Sequence, residues 1–223
     1  MVPRRARRYR PGAGCEQRKG GIMKNDPVPA SNGALETYEA GSVLYVPGRS
    51  SDVYRLLGGL VRLHVVNGEG DGVTLRYVKP GDWFGEEALA GLSRSVFADA
   101  VTDVRVERYV ADGLTAEQRD EVVVRLAVAL DGLYRGMHRR ATRRLAARVA
   151  AELLELRDSA VASDDGGVPT VRMTHDALAE SVGSVRETVT KVVGELARAG
   201  AIEAGYGRIR LRDEAVLREA ADG

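Results

Sequence analysis

The spacing of apolar residues changes once along this chain, near Thr115, and this change limits the possible folds more than any other feature. Before Thr115, apolar and polar residues alternate, as in Val104 and Val106 around Arg105. Such alternation is typical of strands with one buried face. After Thr115, apolar residues recur at steps of three or four, which indicates helices. The sequence therefore predicts an α+β fold of two domains, with strands first and helices second.

The first domain is predicted over residues 33–113 as a β-roll, a jelly roll of short strands. Turn sequences such as Pro47-Gly48, Gly58-Gly59 and Pro80-Gly81 separate its apolar stretches. Roughly eight strands divided by such turns favour a sandwich, jelly roll or barrel. On two of the strands the alternation predicts inward Val61, Leu63, Val65, Val73, Leu75 and Tyr77, and outward Arg62, His64, Thr74 and Arg76.

A long apolar stripe begins in the next segment, predicted as a dimerisation helix over residues 114–141. The stripe consists of Leu126, Leu130, Leu133, Met137, Ala141, Leu145, Val149, Leu153 and Leu156. Packing on a small β domain explains a stripe of this length poorly. We therefore expect the first four residues, Leu126, Leu130, Leu133 and Met137, to form the seam of a homodimer.

The stripe becomes rich in arginine between Arg139 and Arg144, where we expect a hinge with Thr142 as the cap of the next helix. The basic residues of this stretch are Arg135, Arg139, Arg140, Arg143, Arg144 and Arg148. They indicate either a solvated face paired with acids such as Asp131 and Glu152, or a contact to nucleic-acid phosphates.

The second domain, predicted over residues 142–223, ends in a compact unit with two short helices. Thr174 is placed to cap the first of them. The apolar face of that helix is Leu178, Ala179 and Val182. Gly183 supplies a tight turn, and Ser184 followed three residues later by Glu187 predicts a capping box for the second helix.

The second helix has two different faces. The residues predicted to face inward are Val185, Val189, Val192, Val193 and Leu196. The residues predicted to face outward are Arg186, Glu187, Thr190 and Lys191. A helix-turn-helix needs this division, because the first turns of its second helix present hydrogen-bonding side chains to base edges in the major groove of double-stranded DNA. Beyond Gly200, a two-stranded wing is predicted to turn at Gly205–Gly207, with Arg208 and Arg210 near phosphates.

Two segments resemble the cAMP receptor protein/FNR family of bacterial transcription regulators. Val182-Gly-Ser-Val-Arg-Glu-Thr-Val189 resembles the family's recognition-helix entry, and Phe84-Gly-Glu-Glu-Ala-Leu89 resembles the Gly-Glu turn of its cyclic-nucleotide-binding-type β-roll. The resemblance covers about residues 35–212 and is strongest to a stress-response branch. It implies a cytoplasmic regulator, an activator that binds a pseudo-palindromic promoter site as a homodimer through a winged helix-turn-helix and recruits RNA polymerase. Half-sites near TGTGA or TTGTG are expected.

The resemblance also assigns roles to residues of the second helix. Arg186 takes the place of a guanine-reading arginine, and Glu187 that of an acceptor for a cytosine amino group. Lys191 occupies a position that a second base-reading arginine often holds. The alternative for Glu187 is the capping box alone. The full set of expected DNA-binding residues is Arg186, Glu187, Lys191, Thr190, Thr188, Ser184, Val185, Thr174 and Arg208.

An effector pocket is implied in the same way. Its candidate residues are Gly85, Glu86, Arg94, Ser95, Leu133 and Tyr134. Glu86 corresponds to the acceptor for a ribose hydroxyl, and Arg94-Ser95 to the pair that binds a cyclic phosphate. Leu133 and Tyr134 stand where the cAMP-binding branch carries its adenine contacts, so apolar bulk is expected to fill the base site. We therefore favour a regulator without an obligatory effector or cofactor. A ligand-gated regulator, and a β-roll enzyme or nucleotide-binding module with a helical tail, are the alternatives.

Composition excludes several other classes of protein. One cysteine, Cys15, and three histidines argue against a disulfide scaffold, an iron–sulfur cluster and a histidine-rich metal site. His64, on a strand face predicted to be solvated, is not expected to bind haem. It is also the one histidine of the β half, which argues against a cupin-type enzyme. We expect no metal site, no enzymatic activity and, because eighteen apolar residues never run together, no membrane-spanning helix.

Residues 1–32 are predicted to be a disordered basic leader. Seven basic residues and one acidic residue fall within the first 22 positions, without hydrophobic periodicity. The segment lacks the apolar stretch of a secretory signal. It is interpreted as an unstructured tail or as sequence ahead of a start at Met23 rather than Met1. A basic arm that touches nucleic acid is the alternative.

Overall fold

The structure, a computed structural model, describes residues 33–67 and 72–223; the basic leader predicted over residues 1–32 lies outside them. The described N-terminal part contains β1 Ala34–Tyr38, β2 Val43–Tyr45, β3 Asp52–Gly58, β4 Val61–Val66, β5 Gly72–Val78, β6 Trp83–Phe84, β7 Phe97–Ala100 and β8 Val104–Val110. These strands pair into two four-stranded sheets, β1-β8-β3-β6 and β2-β7-β4-β5. The architecture is the expected β-roll.

The core of the β-roll lies between the two sheets. Its fully buried side chains include Leu56, Val61, Val78, Phe84, Ala98 and Val106. The alternation on β8 is confirmed, because Val104 and Val106 are buried while Arg105 between them is exposed. A short 3-10 helix, Glu86–Ala90, follows β6.

β4 keeps the predicted alternation. Val61 and Leu63 face the core of the β-roll, and Arg62 and His64 share the opposite face, beside Asp99 and Phe97 of β7. The His64 ring is buried and stacks on Phe97 with 5.3 Å between centroids, and its Nε2 lies 2.8 Å from Asp99 Oδ2. The prediction of a solvated His64 is therefore wrong, because Phe97 and Asp99 of the neighbouring strand cover the imidazole on the outer face.

On β5 the predicted alternation breaks at Leu75, which is left unpaired because Thr74 pairs with His64 and Arg76 with Leu63. Thr74 is buried and Leu75 is exposed. β5 is an edge strand of its sheet, and Arg140 from the helical part donates from Nη2 to Thr74 O at 2.6 Å. The face that the pattern assigns to solvent is thus covered by the second domain.

Two helices carry the long apolar stripe, α1 Ala116–Thr142 and α2 Leu145–Leu156. Thr115 begins α1 with a capping box, since its side chain accepts from Gln118 N and the Gln118 side chain accepts from Thr115 N. The break between the helices falls at residues 143–144, inside the predicted hinge.

The predicted role of Thr142 as the cap of α2 is wrong. Thr142 is the last residue of α1, and its Oγ1 donates to His138 O at 2.7 Å. A threonine in a final helical turn reaches the carbonyl four residues back, which occupies the hydroxyl. The N-cap of α2 is Arg144, without a side-chain hydrogen bond.

The C-terminal part contains β9 Ala162–Asp164, β10 Pro169–Val171, α3 His175–Val182, α4 Arg186–Arg198, β11 Ile202–Gly205, β12 Arg208–Leu211 and α5 Glu214–Asp222. Its four strands form one sheet in the order β11-β12-β10-β9. The helices α3 and α4 form the helix-turn-helix, and the hairpin of β11 and β12 is the wing. The hairpin of β9 and β10 was not predicted.

The two domains share part of one apolar core. Leu60, in the turn between β3 and β4, is fully buried in the cluster that contains Val149 and Leu153 of α2. Tyr77 and Val101 of the β-roll pack against the same cluster. Because burial of apolar surface drives association, the β-roll and the helix-turn-helix dock directly onto each other.

Within residues 33–67 and 72–223, none of the helices is long and apolar enough to cross a membrane. The same stretches contain no group of three or more histidine, cysteine, aspartate or glutamate side chains that could hold a metal ion.

Candidate nucleic-acid interface

The turn between α3 and α4 is built by local chemistry that the sequence predicted in part. Thr174 caps α3, since its side chain accepts from Ala177 N at 3.1 Å. Gly183 ends α3 with φ of 66°, a left-handed conformation that favours glycine. The backbone N–H of Ser184 donates to Ala179 O at 2.9 Å and closes the turn. The direction in which α4 leaves is therefore set by α3.

The predicted capping box of α4 is not formed. The N-cap residue is Val185 rather than Ser184, and it has no side-chain hydrogen bond. Ser184 belongs to the C-terminal turn of α3, so its position before the helix is taken by Val185. The inward orientation predicted for Val185 is also wrong, because its side chain is exposed in the extended residue ahead of the helix. The other four inward residues, Val189, Val192, Val193 and Leu196, are buried as predicted.

The outward face of α4 presents polar side chains over its first two turns. Arg186, Glu187, Thr188, Thr190 and Lys191 are all exposed. The four buried residues of the same helix pack into the core behind them. The face therefore has donors, an acceptor and a positive charge at a convex surface that is fixed from behind, as base-edge recognition in a groove requires.

Two residues of α3 contact this face, and the sequence analysis missed both. Arg186 Nη1 donates to Asp176 Oδ2 at 3.1 Å, and both side chains are more than half exposed. His175 Nδ1 lies 2.9 Å from Thr190 Oγ1. The spacing of a helix-turn-helix, which brings the start of α3 beside the start of α4, was the signal that could have predicted these contacts.

The wing turns at Gly207, with φ of 65°, and carries two arginines that differ in exposure and in bonding. Arg208 is 60% exposed and lies 3.9 Å from the carboxylate of Asp165. Arg210 is mostly buried, donates to Asp165 O at 3.0 Å, and lies 3.6 Å from Glu203 Oε2. Arg208 is therefore available to an anion, whereas Arg210 is committed to the protein.

The basic stretch around the hinge is largely used within the chain. Arg139 pairs with Glu155 at 2.8 Å, and Arg135 with Asp131 at 2.7 Å. Arg140, Arg143 and Arg148 donate to backbone carbonyls of other elements. These guanidiniums join α1 and α2 to their neighbours, which favours the solvated or paired interpretation over a phosphate contact.

In the β-roll, the candidate effector residues Gly85, Glu86 and Arg94 lie together. Glu86 Oε1 accepts from Arg76 Nη2 at 3.2 Å; burial raises the pKa of Glu86, and the nearby guanidinium of Arg76 opposes that shift. Gly85 has φ of 78°, and a Cβ at this position would lie 2.9 Å from Arg94 Nη2. Only glycine fits this turn beside the arginine.

Arg94 is turned into the protein. It is 5% exposed, its Nη2 donates to Asp52 O, and its Cζ lies 4.0 Å from the ring centroid of Tyr45 and 5.4 Å from that of Tyr54. Ser95 is exposed and does not join it. In this arrangement, the carboxylate and the guanidinium that would meet a ribose cyclic phosphate are both bonded to the protein itself. The residues do not fit that ligand as they stand.

Leu133 and Tyr134 lie elsewhere. They line a cleft of about 520 Å³ between β5, α1, α2 and α3, together with Arg76 and Arg140. None of the four candidates from the 85–95 segment lines this cleft. The single chain therefore does not bring all six candidate residues into one pocket.

The predicted dimer seam on α1 is an exposed apolar surface. Leu126 and Leu130 are each 43% exposed and Met137 is 65% exposed, while Leu133 is half-buried. Such residues along one side of a helix leave apolar area in water, which a second copy of the helix would cover.

Comparison with known proteins gives the same picture. The chain matches the model of a cyclic nucleotide-binding domain over residues 35–115 and that of a Crp-like helix-turn-helix domain over residues 147–220. It is 48% identical over 189 residues to the transcriptional regulator SdrP of Thermus thermophilus, which covers 83% of this chain and 93% of that protein. It is 33% identical over 188 residues to the transcriptional regulator LdrP of the same species, with 84% and 96% covered.

A solved structure agrees with these matches. The crystal structure of a CRP/FNR family transcriptional regulator from Thermus thermophilus superposes with a TM-score of 0.82 at 46% identity, covering 85% of this chain and 99% of that one. Similarity of this extent covers the β-roll, the long helix and the helix-turn-helix together. The chain belongs to the CRP/FNR family of transcription regulators.

Proposed function

We propose that this regulator binds double-stranded DNA sequence-specifically, with α4 as its recognition helix. The observation that carries the proposal is the polar outer face of α4, where Arg186, Glu187, Thr190 and Lys191 are exposed while the opposite face is buried. Arg186 is the guanine reader, and Glu187 accepts from a cytosine amino group. Lys191 adds a less specific contact, because an ammonium lacks the fork of a guanidinium.

The remaining candidates position the helix on the duplex. Thr188, Ser184, Val185 and Thr174 lie around the entry of α4, and Arg208 lies on the wing. Contacts to phosphate and sugar fix the register of a protein on DNA without reading sequence. Thr174 fills this role by donating from its backbone N–H or from its hydroxyl hydrogen, because the hydroxyl oxygen already accepts from Ala177 N to cap α3.

The active form is a homodimer that pairs along α1. The exposed apolar residues of the seam support this, since isologous pairing of the helix would bury them. A two-fold axis places two recognition helices about one DNA turn apart, ~34 Å, so the target is a pseudo-palindrome. From the family resemblance we further propose a cytoplasmic activator of stress genes that recruits RNA polymerase.

The regulator acts without an obligatory small-molecule effector. Glu86 is bonded to Arg76, and Arg94 lies against Tyr45 with its guanidinium donating to the backbone. A cation over an aromatic ring in a desolvated site contributes about 2 kcal/mol or more, which a ligand would have to replace. The β-roll thus supplies from its own backbone and side chains the contacts that an effector would make.

A ligand-gated regulator is the second candidate, and the cleft between β5, α1, α2 and α3 favours it. The cleft has about 520 Å³, room for a small molecule, and is lined by both apolar and charged side chains. A ligand there would touch both domains.

Selection of bound sequences from random DNA with the ligand-free protein tests the proposal. We expect an inverted repeat of a short half-site near TGTGA or TTGTG, with a guanine at the position that Arg186 reads. Enrichment of no sequence would overturn sequence-specific binding by the ligand-free protein. Enrichment only after a small molecule is added would instead favour the ligand-gated candidate.

A further inference from the structure

Arg62 lies where the β-roll meets the helix-turn-helix, and its guanidinium binds two carboxylates. Its Nη2 donates to Asp99 Oδ2 at 3.1 Å, across the pairing of β4 with β7. Its Nη1 donates to Glu180 Oε2 on α3. Arg62 and Asp99 are each 22% exposed and Glu180 is 35% exposed, so the network is partly removed from solvent. One arginine therefore links an acid of each domain.

Within the β-roll, a second residue besides Arg62 holds the carboxylate of Asp99. His64, stacked on Phe97, approaches the same Asp99 oxygen at 2.8 Å. Burial alone would raise the pKa of Asp99, but the hydrogen bonds from His64 and Arg62 outweigh it and hold the pKa below its usual range. Asp99 thus stays a carboxylate, and it fixes one edge of the Arg62 guanidinium.

The side of the network in the helix-turn-helix is held at two consecutive residues of α3. Glu180 takes the free edge of Arg62, and Arg140 of α1 donates to both Ser181 O at 2.9 Å and Thr74 O at 2.6 Å. A Cβ on Gly72 would lie 3.4 Å from the Glu180 carboxylate. The strand β5 therefore approaches α3 closely at the point where the ion pair forms.

The position of α3 determines that of α4. The two helices are joined by the tight turn at Gly183, and the pairs Asp176–Arg186 and His175–Thr190 connect their starts. A rotation of α3 relative to the β-roll would carry the outer face of α4 with it.

We propose that Arg62 and Glu180 are positioning residues for operator recognition, whose ion pair fixes the orientation of α4 relative to the β-roll and so the half-site spacing that the dimer accepts. This inference rests on the proposed function. The shared apolar core holds the domains together, but apolar contact has no preferred direction. A guanidinium that bonds a carboxylate on each edge fixes an angle as well as a distance.

The first test compares DNA with one half-site and DNA with two half-sites whose spacer is lengthened or shortened by one and two base pairs. In Glu180→Gln and Arg62→Gln, affinity for the single half-site stays at the wild-type value. The preference for the best spacer over the next best falls about fivefold or more. The double variant loses no more of the spacer preference than the more affected single variant, because both substitutions remove the same contact.

Glu219→Gln is the matched control. Glu219 lies exposed on α5, and its substitution changes the charge of the DNA-binding domain by the same amount as Glu180→Gln. We expect Glu219→Gln to keep the wild-type spacer preference. A wild-type spacer preference in Glu180→Gln would overturn the proposal. An equal loss of affinity for the single half-site and for every spacer length would overturn it too.

A second test needs no DNA. Spin labels at Arg105→Cys on β8 and Arg198→Cys on α4, in a chain with Cys15→Ser and diluted with unlabelled chain, report the distance between the domains. We expect a narrow distribution in the otherwise wild-type chain and in Glu219→Gln, and a broader one in Glu180→Gln. A distribution in Glu180→Gln as narrow as in the wild type would overturn this proposal, whether or not the protein recognises an operator. Failure to recognise any operator would separately overturn the proposed function.

Discussion

Arg186 is paired before any DNA arrives. Its guanidinium donates to Asp176, but both side chains are more than half exposed, 63% and 58%. Exposed ion pairs contribute about 0–1 kcal/mol, so exchange of Asp176 for a guanine edge costs little. The pair holds the arginine over the helix entry, which reduces the conformational entropy lost on binding.

Arg186→Ala is expected to weaken operator binding by roughly 1–3 kcal/mol per half-site and to relax the preference at one base pair of each. Titration of the selected operator and of variants at that base pair measures both effects. Arg198→Ala, an exposed arginine at the far end of the same helix, is the control and keeps the wild-type preference. Unchanged discrimination in Arg186→Ala would contradict the assignment of α4.

Glu152 of α2 is a half-buried residue whose Oε1 accepts from Ser181 Oγ. Burial raises its pKa above the ordinary 4.5, although the Ser181 bond and the guanidiniums of Arg139 and Arg140 act in the opposite direction. The folded state therefore binds the proton more tightly than the unfolded state. Ionisation of Glu152 costs stability as pH rises from the unfolded pKa through the folded pKa.

Glu152→Gln keeps an acceptor for Ser181 and removes the charge. We expect the variant to have a higher free energy of unfolding than the wild type at pH 8, with the difference shrinking as pH falls towards 4.5. Urea denaturation at the two pH values measures this, with Glu219→Gln as the exposed control. A difference that is the same at both values would show that ionisation is not the cause.

α1 buries an apolar side chain against the β-roll near its N-terminal end and leaves most of its remaining apolar side exposed. Val122 is the one described residue of α1 that is buried, whereas Leu126, Leu130 and Met137 are exposed. In a monomer this surface would remain exposed to water. Large contiguous apolar patches are rarely exposed on monomeric proteins and often mark an interface.

Leu130→Glu is expected to raise the dissociation constant of the dimer by about a hundredfold or more, because each leucine buried in a seam contributes ~1.5–3 kcal/mol and the substitution occurs twice. Sedimentation analysis over a range of concentrations measures the effect. Val124→Glu, also exposed but on another side of α1, serves as the control and stays dimeric. A dimer of wild-type stability in Leu130→Glu would refute the seam.

Elements defined by local chemistry were predictable from the sequence, and elements shaped by the other domain were not. Gly183 and the apolar positions of α4 define the helix-turn-helix without reference to the β-roll. Thr74 is buried because another domain covers β5, and the alternation of apolar and polar residues along the strand does not reveal that contact. The inward turn of Arg94 depends on the rings of Tyr45 and Tyr54, which are distant in sequence.

The sensor-like β-roll and the helix-turn-helix domain are packed directly against each other. Leu60, Tyr77 and Val101 belong to the core of the second domain, and Arg62 and Arg140 connect the domains beside that core. An effector can shift an equilibrium only through a difference in affinity between two states. An effector that acts on this protein would therefore have to bind more tightly to an arrangement in which these contacts are shifted.

Operator affinity is therefore expected to agree within about twofold with and without saturating cAMP, because a ligand without differential affinity shifts no equilibrium. Gel-shift titration of the dimer measures this, with a cAMP-dependent receptor protein assayed alongside to show that the nucleotide is active. A large gain in affinity with cAMP would contradict effector independence and would require Arg94 to leave the Tyr45 ring.

The buried Leu60 also limits how this protein can be engineered. A chimaeric regulator made by fusing its C-terminal domain to a foreign β-roll would leave a hole where the leucine side chain sits, at a cost of about 3–5 kcal/mol if nothing else fills it. The hinge between α1 and α2 is thus the wrong place to join domains from two proteins, although the helices break there. A working graft must carry the turn between β3 and β4 along with the DNA-reading domain.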